Sequence, residues 1–179
     1  MTSRRKFLKI VGGVTAGTLI PLDFLGANTK RTSDRWGELL PLRSFGRINE
    51  KVTMLGLGGF HIGKHTDYEA EKTIETAIEG GIRFIDTAES YQRGGSEDKL
   101  GRLMVPKYRD EIFLMTKSRA KTDKEAQTDL EDSLRRLQTD HLDLWLMHSV
   151  NSVDDVNNRY ENGVFEYFYE AKRQGKIKY

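Results

Sequence analysis

Apolar residues in this chain follow two alternating periods. Near-continuous apolar runs, IRFID, EIFLMTK and LDLWLMH, are each followed by a stretch where apolar positions return every three or four residues. Thr66 and Glu69 form a capping box ahead of Ala70, Ile74, Ala77 and Ile78, a face that stops at Gly80 and Gly81, which predicts a first helix. Thr122 and Glu125 repeat the box ahead of Ala126, Leu130, Leu134 and Leu137. Between them Ser96 is placed to cap a helix carrying Leu100 and Leu103. Val164 to Gln174, closed by Gly175, reads as a fourth helix, and KIKY begins a further strand. Upstream, LRSFGRINEKVTMLGLGGF reads as a hairpin turning near Arg47 to Glu50, leading into a strand that ends in Gly56, Gly58 and Gly59.

Strands alternating with helices predict a parallel sheet. A doubly wound dinucleotide fold needs G-x-G-x-x-G at its first strand-to-helix turn, and GLGG at Gly56 to Gly59 lacks that spacing. A (β/α)8 barrel instead collects its chemistry from the carboxyl ends of several strands. Asp86, Lys117 and His148 end the second, third and fourth strands, and Tyr91 sits just past the second. This placement favours the barrel. It also assembles a proton-delivery site: a tyrosine hydroxyl is a poor acid at neutral pH unless a cation or imidazole lies beside it, and Lys117 and His148 supply both.

The 179 residues carry 29 Lys and Arg against 27 Asp and Glu, interspersed rather than blocked, which argues against a nucleic-acid partner. No cysteine is present, so disulfides and thiolate metal sites are excluded within this sequence. The first forty residues differ in kind. SRRKFLK, with Arg4 and Arg5, precedes an apolar glycine-containing run from Ile10 to Ile20, shorter than the about 20 residues a bilayer span requires. That pattern resembles a twin-arginine export signal, here assigned to residues 1–27, and predicts an exported, periplasmic protein that engages the twin-arginine machinery. Residues 28–40 are polar and aperiodic and read as a linker to a domain over residues 41–179.

LGLGGF, GIRFIDTAESY, GGSEDKLG, FLMTK and LDLWLMH, in this order, resemble the aldo-keto reductase family from about Pro41 to Tyr179. The resemblance implies a carbonyl reductase using NADPH, with NADH an alternative, on a small aldehyde or ketone. It casts Asp86, Tyr91, Lys117 and His148 as a catalytic tetrad and places Gly59, Phe60 and Asp86 beside the nicotinamide ribose. Tyr91 is then the general acid for a carbonyl oxygen, Lys117 favours its phenolate, Asp86 holds Lys117 by an ion pair, and His148 orients the carbonyl or shares its proton.

Each of these residues also has an ordinary structural role: Asp86 as a cap or turn residue, Tyr91 as part of a plain loop through ESYQRGGS, Lys117 as a solvated strand end, His148 as a satisfied edge histidine. Their joint position carries the functional reading. His61, His65 and His141 lack metal-ligand spacing, Trp145 reads as core, and Phe165, Tyr167, Phe168 and Tyr169 read as a helix face packed on the sheet. A complete barrel takes about 250 residues, so residues 41–179 are expected to supply only its first four to five units. The expectations that follow are a truncated chain with little activity alone, or else a half-barrel binding module or a non-catalytic regulatory relative.

Overall fold

The computed structural model describes residues 32–179. The export signal assigned to residues 1–27 lies outside the described residues, as does the start of the stretch read as linker. From Ser33 that stretch is ordered: β1 (Ser33–Asp34) pairs antiparallel with β2 (Gly37–Glu38). The hairpin is held from outside itself, which its polar sequence could not announce. Asp34 accepts two hydrogen bonds from the buried Arg83 guanidinium, at 2.6 and 2.9 Å, and Trp36 packs edge-on against Tyr108 at 4.7 Å. The Arg83 guanidinium holds the Asp34 carboxyl below the usual carboxylate range.

The expected second hairpin is present as β3 (Leu42–Ser44) and β4 (Lys51–Thr53), with Phe45 N–H donating to Glu50 O at 2.9 Å across the turn. Then comes the sheet of β5 (Gly56–Gly58), β6 (Phe84–Asp86), β7 (Phe113–Ser118) and β8 (Leu144–Met147), all parallel and in chain order. A doubly wound sheet reverses its strand order at a switch point; this one does not, which leaves consecutive units of a (β/α)8 barrel. The KIKY segment adds itself beside β8 through a parallel bridge from Leu142 to Ile177, and Trp145 N–H donates to Tyr179 O at 2.8 Å.

A 3-10 turn over Gly59–Lys64 leaves β5, and α1 (Asp67–Glu79) leads to β6. Both capping boxes form. In α1 and in α4 (Asp123–Leu137), Thr66 and Thr122 accept from the third-residue N–H while Glu69 and Glu125 reach back, each cap stabilising by about 1 kcal/mol. Between them lie α2 (Gly95–Leu103) and the short α3 (Val105–Tyr108). Ser96 does not cap α2: Gly94, at φ 88°, occupies that position, and Ser96 lies buried in the first turn. One helix escapes the apolar periodicity altogether, α5 (Val153–Glu161), which is followed by the expected α6 (Val164–Arg173).

Alternation along the strands sorts their side chains onto two faces. Ile85, Leu114 and Trp145 face the helices and join Ile74, Leu100, Leu130 and Val164 in the main core. Phe84, Phe113, Met115 and Leu144 face the other way and pack with Val52, Phe45 and Tyr179. Phe45, Phe84 and Phe113 lie 5.7 to 5.8 Å apart, centre to centre, closing the amino-terminal end of that inner face. Trp145 is buried as expected, stacked on Phe168 at 3.9 Å with Tyr167 edge-on. Tyr169, grouped with them from sequence, points out at 69% exposure.

Candidate active site

Two residues beyond the apolar inner layer, the same strand faces turn polar. Asp86 follows Phe84 on β6 and Lys117 follows Met115 on β7, while His148 lies two past Leu146, itself paired with Lys117 in register. Strand parity therefore aims three ionisable side chains at one point at the carboxyl end of the sheet.

Lys117 is the hub. Its ammonium forms an ion pair with Asp86, donates to Thr87 O at 2.7 Å, and lies 3.4 Å from Tyr91 Oη. An ammonium has three protons, and these are three acceptors. The lysine side chain is 13% exposed and Asp86 37%, so the pair sits at the lip of the site rather than sealed inside. The ammonium is thus the nearest positive group to the phenol oxygen among the described residues.

The loop that carries Tyr91 is fixed by β7. Thr87 N–H donates to Met115 O at 2.9 Å and Glu89 N–H to Lys117 O at 3.2 Å, so the loop rides on the strand that bears the lysine. Gln92 and Arg93 then adopt positive φ, 51° and 55°, and Ser96 N–H returns to Tyr91 O. Ser96 Oγ donates to Gly59 O at 2.7 Å and meets Thr87 Oγ1 at 2.9 Å. Gly59 is glycine because of that packing: a Cβ would come within 2.9 Å of Ser96 Oγ and 3.0 Å of Asp86 O. Phe60, 45% exposed, stands edge-on to the Tyr91 ring at 5.1 Å.

His148 completes the group, its ring edge-on to Tyr91 at 5.8 Å. Burial, then the nearby Lys117 and Arg119 charges, push the imidazole below the ordinary histidine range, with Asp86 opposing in part. The ring is accordingly neutral at neutral pH. Its main chain is pinned twice, by N–H donation to Ser118 O at 2.7 Å and by the Arg159 guanidinium donating to its carbonyl at 2.9 Å. Arg159 is 1% exposed and is paired with Asp155, whose carboxyl is lowered to about 2 by Arg159 first and Lys121 second.

The structure thus brings together Asp86, Tyr91, Lys117 and His148, with Phe60 at the rim and Gly59 packed beneath. Sequence reasoning missed Thr87, Ser90 and Arg159. Ser90 was visible only as the neighbour of Tyr91. Arg159 belongs to α5, whose one signal was Ser152 ahead of Asp154 and Asp155, a cap that forms with Asp155 N–H donating to Ser152 Oγ at 3.1 Å.

Residues 54–179 match the model of the Aldo/keto reductase family. The uncharacterized oxidoreductase YqkF of Bacillus subtilis is 30% identical over 152 residues, covering 76% of this chain and 46% of its own length. Among solved structures, the aldo-keto reductase AKR11C1 of Bacillus halodurans in its holo form superposes with a TM-score of 0.68 at 30% identity, over 77% of this chain and 48% of that one. An aldo-keto reductase of Klebsiella pneumoniae in complex with NADPH does so with a TM-score of 0.60 at 32% identity, over 72% of this chain and 44% of that one. The chain spans about half the length of these relatives.

Proposed function

We propose, from the premise that this chain belongs to the aldo/keto reductase family, that it carries the proton-delivery half of a nicotinamide-dependent carbonyl reductase. The observation that carries this reading is Tyr91 Oη lying 3.4 Å from an ammonium that is itself anchored to Asp86. Tyr91 donates its proton to the carbonyl oxygen of a small aldehyde or ketone. Lys117 stabilises the charge left on the phenol oxygen, and Asp86 keeps the lysine charged and in place. The neutral His148 ring meets the carbonyl oxygen from the other side and fixes its approach.

When bound, the nicotinamide supplies the hydride for the carbonyl carbon. The residues present fit such a group. Among the described residues Asp86 Oδ2 takes no hydrogen bond, which leaves a half-exposed acceptor for a ribose hydroxyl, and Phe60 offers an exposed apolar ring beside the acid. NADPH is the preferred nucleotide in this reading, by analogy with the Klebsiella relative.

The experiment is nicotinamide oxidation over a panel of aldehydes by the protein carrying this chain, against Tyr91→Phe. The phenylalanine keeps the ring contact with Phe60 and removes only the proton, so turnover should fall by about 100-fold or more. Turnover within a few-fold of the parent would rule Tyr91 out as the acid.

The leader at Arg4 and Arg5 extends the proposal to export as a folded protein into the periplasm. A reporter fused to residues 1–40 should reach the periplasm, and changing both arginines to lysine should retain it in the cytoplasm. Equal export of the two fusions would sink the idea.

A further inference from the structure

Both ends of the loop that carries Tyr91 are tied to β7, by different means. At the near end the ties are backbone hydrogen bonds, from Thr87 N–H to Met115 O and from Glu89 N–H to Lys117 O. Between the ends, Ser90 Oγ lies 3.3 Å from His148 Nδ1, and Tyr91 Oη meets the Lys117 ammonium at 3.4 Å. At the far end Gln92, Arg93 and Gly94 all take positive φ, uncommon for the two that are not glycine, and the chain then enters α2. What holds that end is Glu97, in the first turn of α2 and fully buried. One of its carboxylate oxygens accepts from Thr116 Oγ1 at 2.6 Å and the other from Arg136 Nε at 2.8 Å. The Arg136 stem lies over Gly94, where a Cβ would come within 2.7 Å of its Cδ.

We infer that Glu97 is a positioning residue for Tyr91: its carboxylate fastens the far end of the loop to the strand that bears Lys117, and so sets the spacing between phenol and ammonium. Strand alternation makes this possible. Thr116 directly precedes Lys117 and points to the opposite face, buried among the helices, so Glu97 grips β7 from behind at the residue beside the lysine. A buried carboxylate needs its donors, and here they come from two elements, β7 and α4. The loop end therefore cannot drift without leaving a buried oxygen unsatisfied. Ser96, next to Glu97, carries the restraint back to the acid: its N–H donates to Tyr91 O at 3.2 Å and its hydroxyl to Gly59 O at 2.7 Å. The fastening stands on these contacts alone; its consequence for turnover rests on the reductase reading.

Thr116→Val removes the hydroxyl and little else, and Thr116→Ser restores it, so both variants should fold. Amide hydrogen exchange reads the loop directly. In Thr116→Val the Ser96 N–H should exchange about tenfold faster while the amides of α1 keep the parent rate. In turnover by the protein carrying this chain, Thr116→Val should lower kcat about tenfold with KM within about twofold, and Thr116→Ser should recover most of the loss. Thr116→Val added to Tyr91→Phe should cost nothing further, because the acid that the loop places is gone. An exchange rate at Ser96 that does not move, or that rises equally in α1, would overturn the inference. So would a loosened loop with unchanged kcat, or a full further loss beside Tyr91→Phe. Faster exchange confined to the loop in a protein that reduces no carbonyl would support the fastening by Glu97 while striking the reductase reading.

Discussion

Lys117 directs its protons to a carboxylate, a backbone carbonyl and a phenol oxygen, and in the proposed reading that distribution is what lets Tyr91 act as an acid. The carboxylate fixes the charge, the carbonyl fixes the direction, and the phenol receives the field. His148 works in the opposite sense, kept neutral beside two cations. Its effect on stability has a definite sign. Because its folded pKa lies below the ordinary 6.5, the unfolded chain binds more protons in the window just below 6.5, so stability rises with pH there and levels off above it. Urea midpoints followed from about pH 5 to pH 8 should therefore climb more steeply for wild type than for His148→Gln. Parallel curves would contradict the depressed imidazole. The four ionisable residues of the site were legible in the sequence because each sits at or just past a strand end. Ser90 and Thr87 were not, because their roles depend on a loop that passes through positive φ at Gln92 and Arg93, residues with no sequence preference for it.

At the scale of elements, local chemistry that closes on itself was readable and chemistry that closes elsewhere was not. Two capping boxes located α1 and α4 to the residue, since both partners lie within four positions. The β1–β2 hairpin depends on Arg83 and Tyr108, and α5 turns a fully buried arginine inward while leaving Val153 and Tyr160 exposed, the reverse of an amphipathic pattern. The contact of α2 with α4 offers a direct test of packing. A Cβ on Gly101 would overlap the Arg136 carbonyl oxygen and lie 2.8 Å from the Leu137 carbonyl carbon, and backbone cannot swing aside as a side chain can. Gly101→Ala, favourable by helix propensity alone, should instead destabilise the protein by about 1–3 kcal/mol, read as a lower urea midpoint at unchanged slope. An unchanged or higher midpoint would mean the two helices are free to separate.

Over the whole molecule, the inner face of the sheet changes character from end to end: Phe84, Phe113, Met115 and Leu144 below, Asp86, Lys117 and His148 above. The strand alternation that builds the core therefore also gathers the site, and a one-residue slip of β7 would bury Lys117 among the helices. The central claim of the proposal is that the Lys117–Asp86 pair there works through Tyr91. A double-mutant cycle on carbonyl reduction, with Tyr91→Phe, Lys117→Met and both together in the protein carrying this chain, measures that coupling. If Lys117 works only through the tyrosine, each single change lowers kcat/KM nearly as far as the pair. Losses that multiply in the double variant would show two independent contributions and contradict a single proton-delivery site.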